Sequence, residues 1–216
     1  MSDYVADGRR LGDVPRTTEA SGAVIVSRAA QERLGPPAAV WGMLILIATE
    51  GMLFACMIGS YFYLRFTQHT WPLPGDPKPK ALFPLILVAC LVLTSIPMQL
   101  AFVRARAGRR AATRLLIVVA LVVQCGYLAY VIDDYRDQLQ TLPISRDAYS
   151  SLYYVLLGAD HAHVAIGILF SVWLLWKLAR GLTTYRLNAT QAITWYWHFV
   201  NAMTVIVILV LLSARL

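Results

Sequence analysis

The sequence has 216 residues, 58% of them hydrophobic and 14% charged, with a net charge of +7 and a mean hydropathy of +0.59. Soluble domains carry about a quarter charged residues, so this composition excludes an ordinary soluble fold. It also excludes a nucleic-acid groove binder, because the basic residues cluster in short loops beside long apolar runs.

Residues 1–37 mix Asp, Arg, Gly, Pro and Thr without a durable period, and read as a flexible cytoplasmic arm. Their one apolar run, AVIV, is too short for the h-region of a signal peptide. The rest of the chain, 38–216, reads as one transmembrane domain with apolar spans at about 38–64, 81–103, 114–132, 149–176 and 190–213. Between the first two spans, TQHTWPLPGDPKPK carries the Pro and Gly of a tight extramembrane loop. Pro97 predicts a kink near the end of the second span. The third span ends at the acidic cluster Asp133, Asp134 and Asp137. Cys56, Cys90 and Cys125 lie in apolar stretches without paired spacing and read as small core residues. No internal repeat is visible.

The fold class that follows is all-α: a polytopic membrane protein with a bundle of five transmembrane helices. Lys and Arg set its orientation. The arm and the loops after spans two and four hold thirteen of them, and the opposite side holds six. Positive charge is retained inside, so the N-terminus is expected in the cytoplasm and the C-terminus in the periplasm.

Polar residues within the spans are the candidates for chemistry. Glu50 lies in the first span, and a charge at the bilayer centre costs roughly 2.5–3.5 kcal/mol on insertion scales. It must be neutral, paired or turned towards protein. Gly51, Ala55 and Gly59 recur every fourth residue beside it, a smooth stripe suited to helix packing. The fourth span is the most polar of the five, with Asp160, His161 and His163. The fifth opens on Trp195, Tyr196, Trp197 and His198, close to the inner interface where aromatics form belts. Glu50 and Asp160 could form a proton relay or simply accept hydrogen bonds from neighbouring helices. His161 or His163 with His198 could bind one haem, though interhelical polar packing is the simpler role. Depth also pairs Glu50 with His163: they lie roughly 14 and 20 Å from the inner ends of their helices, within about one turn of each other. Asp160, three residues from His163 on the same face, is placed to hold its ring. No phosphate loop or hydrolase motif is present.

Three motifs point to a family. WGMLILIATEGMLF resembles the Trp-Gly...Ser/Thr-Glu...Phe-Phe helix of cytochrome c oxidase subunit III, and GADHAHVAIG resembles that family's Gly-Phe-His-Gly-x-His-Val-x-x-Gly helix. AITWYWHFVN is similar to its signature Ala-x-x-Trp-Tyr-Trp-His-Phe-Val-Asp. All three fall in the family's order, over roughly residues 38 to 213. Glu50, His163 and His198 match the family's glutamate, second middle-motif histidine and signature histidine. Three positions depart from the pattern. Asp160 replaces the first middle-motif histidine, Asn201 replaces the signature's last aspartate, and Tyr127 follows Gln124 where the family has glutamate.

The resemblance implies an accessory subunit of a bacterial haem-copper terminal oxidase, of the five-helix kind, in the inner membrane. It implies no catalytic residue, metal or cofactor in this chain, with haem and copper in partner subunits. Oxygen reduction and proton pumping would belong to those partners. It further implies bound phospholipid, a role in sustained proton uptake, main contact with subunit I, and contact with subunit II, with a small subunit IV as a further candidate. Glu50, Asp160, His163, His198 and Asn201 become the lipid- or proton-related candidates. Alternatives are a nitric oxide reductase partner, a small proton-linked transporter and a single-haem cytochrome.

Overall fold

The computed structural model describes residues 38–72, 82–181 and 183–215. The predicted arm over 1–37 lies outside the described residues, as does most of the Pro- and Gly-rich loop. Six helices follow in order: α1 Ala38–Thr67, α2 Leu82–Leu93, α3 Ser95–Arg106, α4 Arg110–Thr141, α5 Ala148–Ala179 and α6 Thr184–Leu212, closed by a 3-10 turn at Ser213–Arg215. Helices α2 and α3 make one span, so five rods of 25–32 residues are long and apolar enough to cross a membrane. At 1.5 Å per residue they measure about 38–48 Å, longer than the roughly 30 Å hydrocarbon core. Their ends therefore reach into the headgroup layer and water.

The second span breaks at Thr94, three residues before Pro97. Proline has no N–H for the carbonyl of residue 93, and its ring crowds that group, so the helix opens one turn upstream. The Thr94 hydroxyl donates to the Leu91 carbonyl at 2.6 Å, beside the bond of its own N–H to the same carbonyl at 3.0 Å.

Helix α4 runs nine residues past the predicted end of its span, and the aspartates expected to close it stand on its last turns. Hydropathy detects where lipid ends, not where backbone hydrogen bonding ends. Tyr135 and Leu139 on these turns pack against Tyr149 and Tyr154 of α5, which extends the helix into the aqueous layer. Asp147 then starts α5 with a capping box. Its carboxylate accepts from the Ser150 N–H at 2.8 Å, while the Ser150 hydroxyl accepts from the Asp147 N–H at 3.1 Å. Such a cap contributes about 1 kcal/mol.

At the other membrane face the α3–α4 turn passes through Gly108 at φ +72°, a left-handed backbone that glycine adopts freely. Gly181, at φ +114°, ends α5 in the same way. Arginines close that end: Arg114 donates to the Leu178 carbonyl, and Arg186 to the Gly181 carbonyl at 2.6 Å. Cationic donors suit the negative end of a helix dipole.

Helix α6 is central, touching α1, α2, α3 and α5. Its Trp197, Val200 and Ile193 join Ile117 and Leu174 in one core, while Val207 and Leu211 join Phe54, Tyr61 and Leu156 in another. Helix α1 is the most exposed rod. The three cysteines are exposed too, against the expectation of core positions. In a bilayer an apolar side chain gains little by turning inward, because lipid tails are as apolar as leucine.

Candidate functional site

Glu50 and His163 meet between α1 and α5, with Glu50 Oε2 3.1 Å from His163 Nε2. Glu50 is the thirteenth of 30 residues in α1 and His163 the sixteenth of 32 in α5, so both stand close to mid-span. The other ring nitrogen fixes the chemistry. Nδ1 lies 2.7 Å from the Ala159 carbonyl, which can only accept, so Nδ1 carries a proton. In the neutral imidazole Nε2 is then an acceptor, and Glu50 must donate to it as a carboxylic acid. Alternatively, the proton sits on Nε2 and the pair is imidazolium and carboxylate. One proton moving along this 3.1 Å contact interconverts the two states. Phe54 packs on the imidazole at 5.0 Å, and the Tyr196 hydroxyl donates to the His163 carbonyl at 2.9 Å.

The ring is held by Ala159, not by Asp160 as the spacing suggested. Asp160 turns instead towards α6, where its Oδ1 lies 2.9 Å from the Thr204 hydroxyl. It is buried, and its Oδ2 has no hydrogen-bond partner among the described residues. Sequence spacing could not select Thr204, which lies 44 residues away on another helix.

The remaining candidates are distributed along α6. His198 Nε2 lies 3.1 Å from Gln99 Oε1 of α3, and Asn201 donates to the Ser95 hydroxyl at 2.7 Å. His163 and His198 thus each engage a different helix and do not converge. His161 sets its ring against Tyr127 of α4, at 6.1 Å between centroids. Among the described residues, no group of three His, Cys, Asp or Glu converges in metal-ligand fashion. Gly51 abuts Phe199 of α6, whereas Ala55 and Gly59 face outward, so the stripe divides between an internal contact and a free face.

Tyr196 and Trp197 are not belt residues. Both are buried, and the Trp197 indole N–H donates to the Ser171 hydroxyl at 2.9 Å. The indole lies over Gly167, where a Cβ would stand only 2.8 Å from Trp197 Cζ2. Glycine at 167 is what admits the tryptophan. Other aromatics stand near the helix ends. Trp71 donates to the Tyr61 hydroxyl at 3.0 Å and stacks edge-on against Tyr149 near one face. Trp173 and Trp176 lie near the other, with Arg180 4.2 Å above the Trp176 ring.

Five membrane-length helices, joined across mid-span by a few acid, imidazole and hydroxyl contacts within an apolar core, define a polytopic membrane protein. The family profile of "Cytochrome c oxidase subunit III" matches residues 36–213, and the chain belongs to that family. It is similar to the cytochrome bo(3) ubiquinol oxidase subunit 3 of Pseudomonas aeruginosa, 26% identical over 174 residues, 78% of this chain and 81% of that protein. The quinol oxidase subunit 3 of Bacillus subtilis is 24% identical, covering 78% of this chain and 83% of its own length. The cytochrome c oxidase subunit 3 of the same species is also 24% identical, with 77% and 81% covered. The protein is accordingly an accessory subunit of a haem-copper oxidase and a multi-pass protein of the bacterial inner membrane. The family's redox centres lie in other subunits of the complex, with which this chain associates. This assignment replaces the transporter and single-haem alternatives.

Proposed function

We propose that the subunit docks on subunit I of its oxidase through the outward side of α1, contacts subunit II, and sustains proton uptake during turnover through the Glu50–His163 pair. One observation carries this reading. The Glu50 side chain is 31% exposed although it stands at mid-span. Facing lipid it would incur roughly 2.5–3.5 kcal/mol when charged, so a protein surface is the favourable cover. Ala55 and Gly59, on the same helix, leave room for a partner's backbone. Ala55→Leu is expected to lower the amount of this subunit copurifying with the haem-bearing subunits, while haem per subunit I stays constant in a reduced-minus-oxidised spectrum. Unchanged copurification would count against the docking face.

Bound phospholipid belongs to the same reading. Trp173, Trp176, Lys177 and Arg180 combine aromatic faces with cations at one end of α5, a combination that suits an anionic headgroup. The electron donor enters through partner subunits, and relatives named for quinol and for cytochrome c stand at equal identity.

The N-terminus is assigned to the cytoplasm and the C-terminus to the periplasm. Arg104, Arg106, Arg109, Arg110 and Arg114 cluster around one inter-helix turn, which favours the retained side. Single cysteines at Lys78 and Gly108, in a cysteine-free background, test the orientation in intact cells. An impermeant reagent is expected to label Lys78→Cys and spare Gly108→Cys. The reverse pattern would invert the subunit.

A further inference from the structure

A crevice of about 50 Å³ lies among α2, α4, α5 and α6, lined from Gln138, near the 142–147 loop, down to Tyr127 and His161. The end of its lining nearest that loop carries polar groups. The Gln138 side-chain amide donates to the Asp134 carboxylate, and the Tyr153 hydroxyl donates to Gln138 Oε1 at 2.8 Å. Deeper in, the lining includes Tyr127 and His161. Gln138 lies about 5 Å from the end of α4, whereas Tyr127 lies about 21 Å from it. The polar lining therefore descends from the aqueous layer to mid-span.

Asp160 lies next to this floor. It does not itself line the crevice but adjoins His161, which does, and its Oδ2 is buried with no hydrogen-bond partner among the described residues. Its contact with Thr204 has one proton too few. The Thr204 hydroxyl stands 2.9 Å from Asp160 Oδ1 and 3.0 Å from the Val200 carbonyl, and has a single hydrogen to offer. A proton on Asp160 satisfies both contacts: the acid donates to the threonine oxygen, and the threonine donates to the carbonyl. The contacts are thus satisfied most fully by the protonated acid, which then has a proton to give. The crevice has room for about two to four waters, with polar groups to bind them.

We propose that this crevice is a water-filled inlet through which the buried carboxyl of Asp160 exchanges protons with the membrane face carrying the 142–147 loop. Asp160 passes its proton to inlet water, forming hydronium, and recovers it by the reverse transfer; no electron moves and no bond other than O–H changes. The inlet is separate from the Glu50–His163 pair and does not depend on the role proposed for it. On the topology above, it opens to the periplasm.

The test uses the assembled complex in native membranes, with Cys56, Cys90 and Cys125 replaced by alanine. Asp160→Cys puts an S–H group beside the inlet's floor, and Leu157→Cys puts one on its wall. Infrared spectroscopy in D2O is expected to show S–H to S–D exchange at both positions at least tenfold faster than at Val164→Cys, a fully buried position on the same helix. Silver ion is expected to reach Leu157→Cys in spheroplasts and not in inverted vesicles, with Val122→Cys as a lipid-facing control. Should Asp160→Cys prevent assembly, Leu157→Cys and Val131→Cys carry both measurements. Exchange as slow as at Val164→Cys makes the crevice dry and overturns the proposal. Silver access restricted to inverted vesicles overturns its direction.

Discussion

Cells carrying Gly167→Leu are expected to contain almost no stably assembled subunit. Even a single methyl group at 167 would meet three atoms of the Trp197 ring at 2.8–3.0 Å. That ring cannot give way cheaply. It is fully buried, and its N–H is tied to Ser171 on the same helix as the glycine. Overpacking a filled core costs about 1–3 kcal/mol, and a leucine here adds four carbons where none fits. Gly167→Ala should be milder, lowering the melting temperature of the complex without abolishing it. Trp197→Ala removes the obstacle but leaves a cavity worth about 3–5 kcal/mol. Combining Gly167→Leu with Trp197→Ala should therefore recover more subunit than Gly167→Leu alone, as read by subunit content per haem. Equal levels in the two strains would show that the clash is not the cause.

The second large effect concerns Glu50 and His163. Glu50→Ala strands Nε2 of a largely buried imidazole and His163→Ala strands a half-buried carboxyl at mid-span, the former a loss of about 1–3 kcal/mol. Glu50→Ala and His163→Ala are expected to weaken retention of the subunit, or to make the oxidase lose activity progressively during turnover at normal haem content. Glu50→Gln separates the two roles. Its amide can donate to Nε2 and preserve packing, but it cannot pass a proton. It should assemble normally and still lose activity over successive turnovers. Wild-type behaviour in all three variants would remove the pair from the mechanism.

Much of this architecture was legible because lipid imposes a simple rule. Runs of about 20 apolar residues must be helices, so the five spans could be located from hydropathy alone. Depth along those helices was enough to bring Glu50 to His163, since rise per residue is fixed. What depth does not contain is rotation about the helix axis. Asp160 shares a face with His163 by spacing, yet α6 presents Thr204 to it, and nothing within α5 encodes that choice. Rotation also decided the cysteines, which face out, and Trp197, which faces in. The extension of α4 escaped notice for another reason. Its last turns are polar outside and aromatic inside, a pattern that hydropathy reads as loop. The crevice lay beyond reach altogether, because it exists only where four helices diverge.

The contact between Glu50 and His163 also spans time, since 113 residues separate them. At roughly 5–20 residues per second, the ribosome needs about 6–23 s to supply the histidine after the glutamate has been made. Throughout that interval α1 carries a carboxyl whose partner has not been synthesised, and α5 and α6, the helices it packs against, are also missing. A chain stalled between the two residues would hold the acidic group of α1 without the imidazole that partners it in the folded protein.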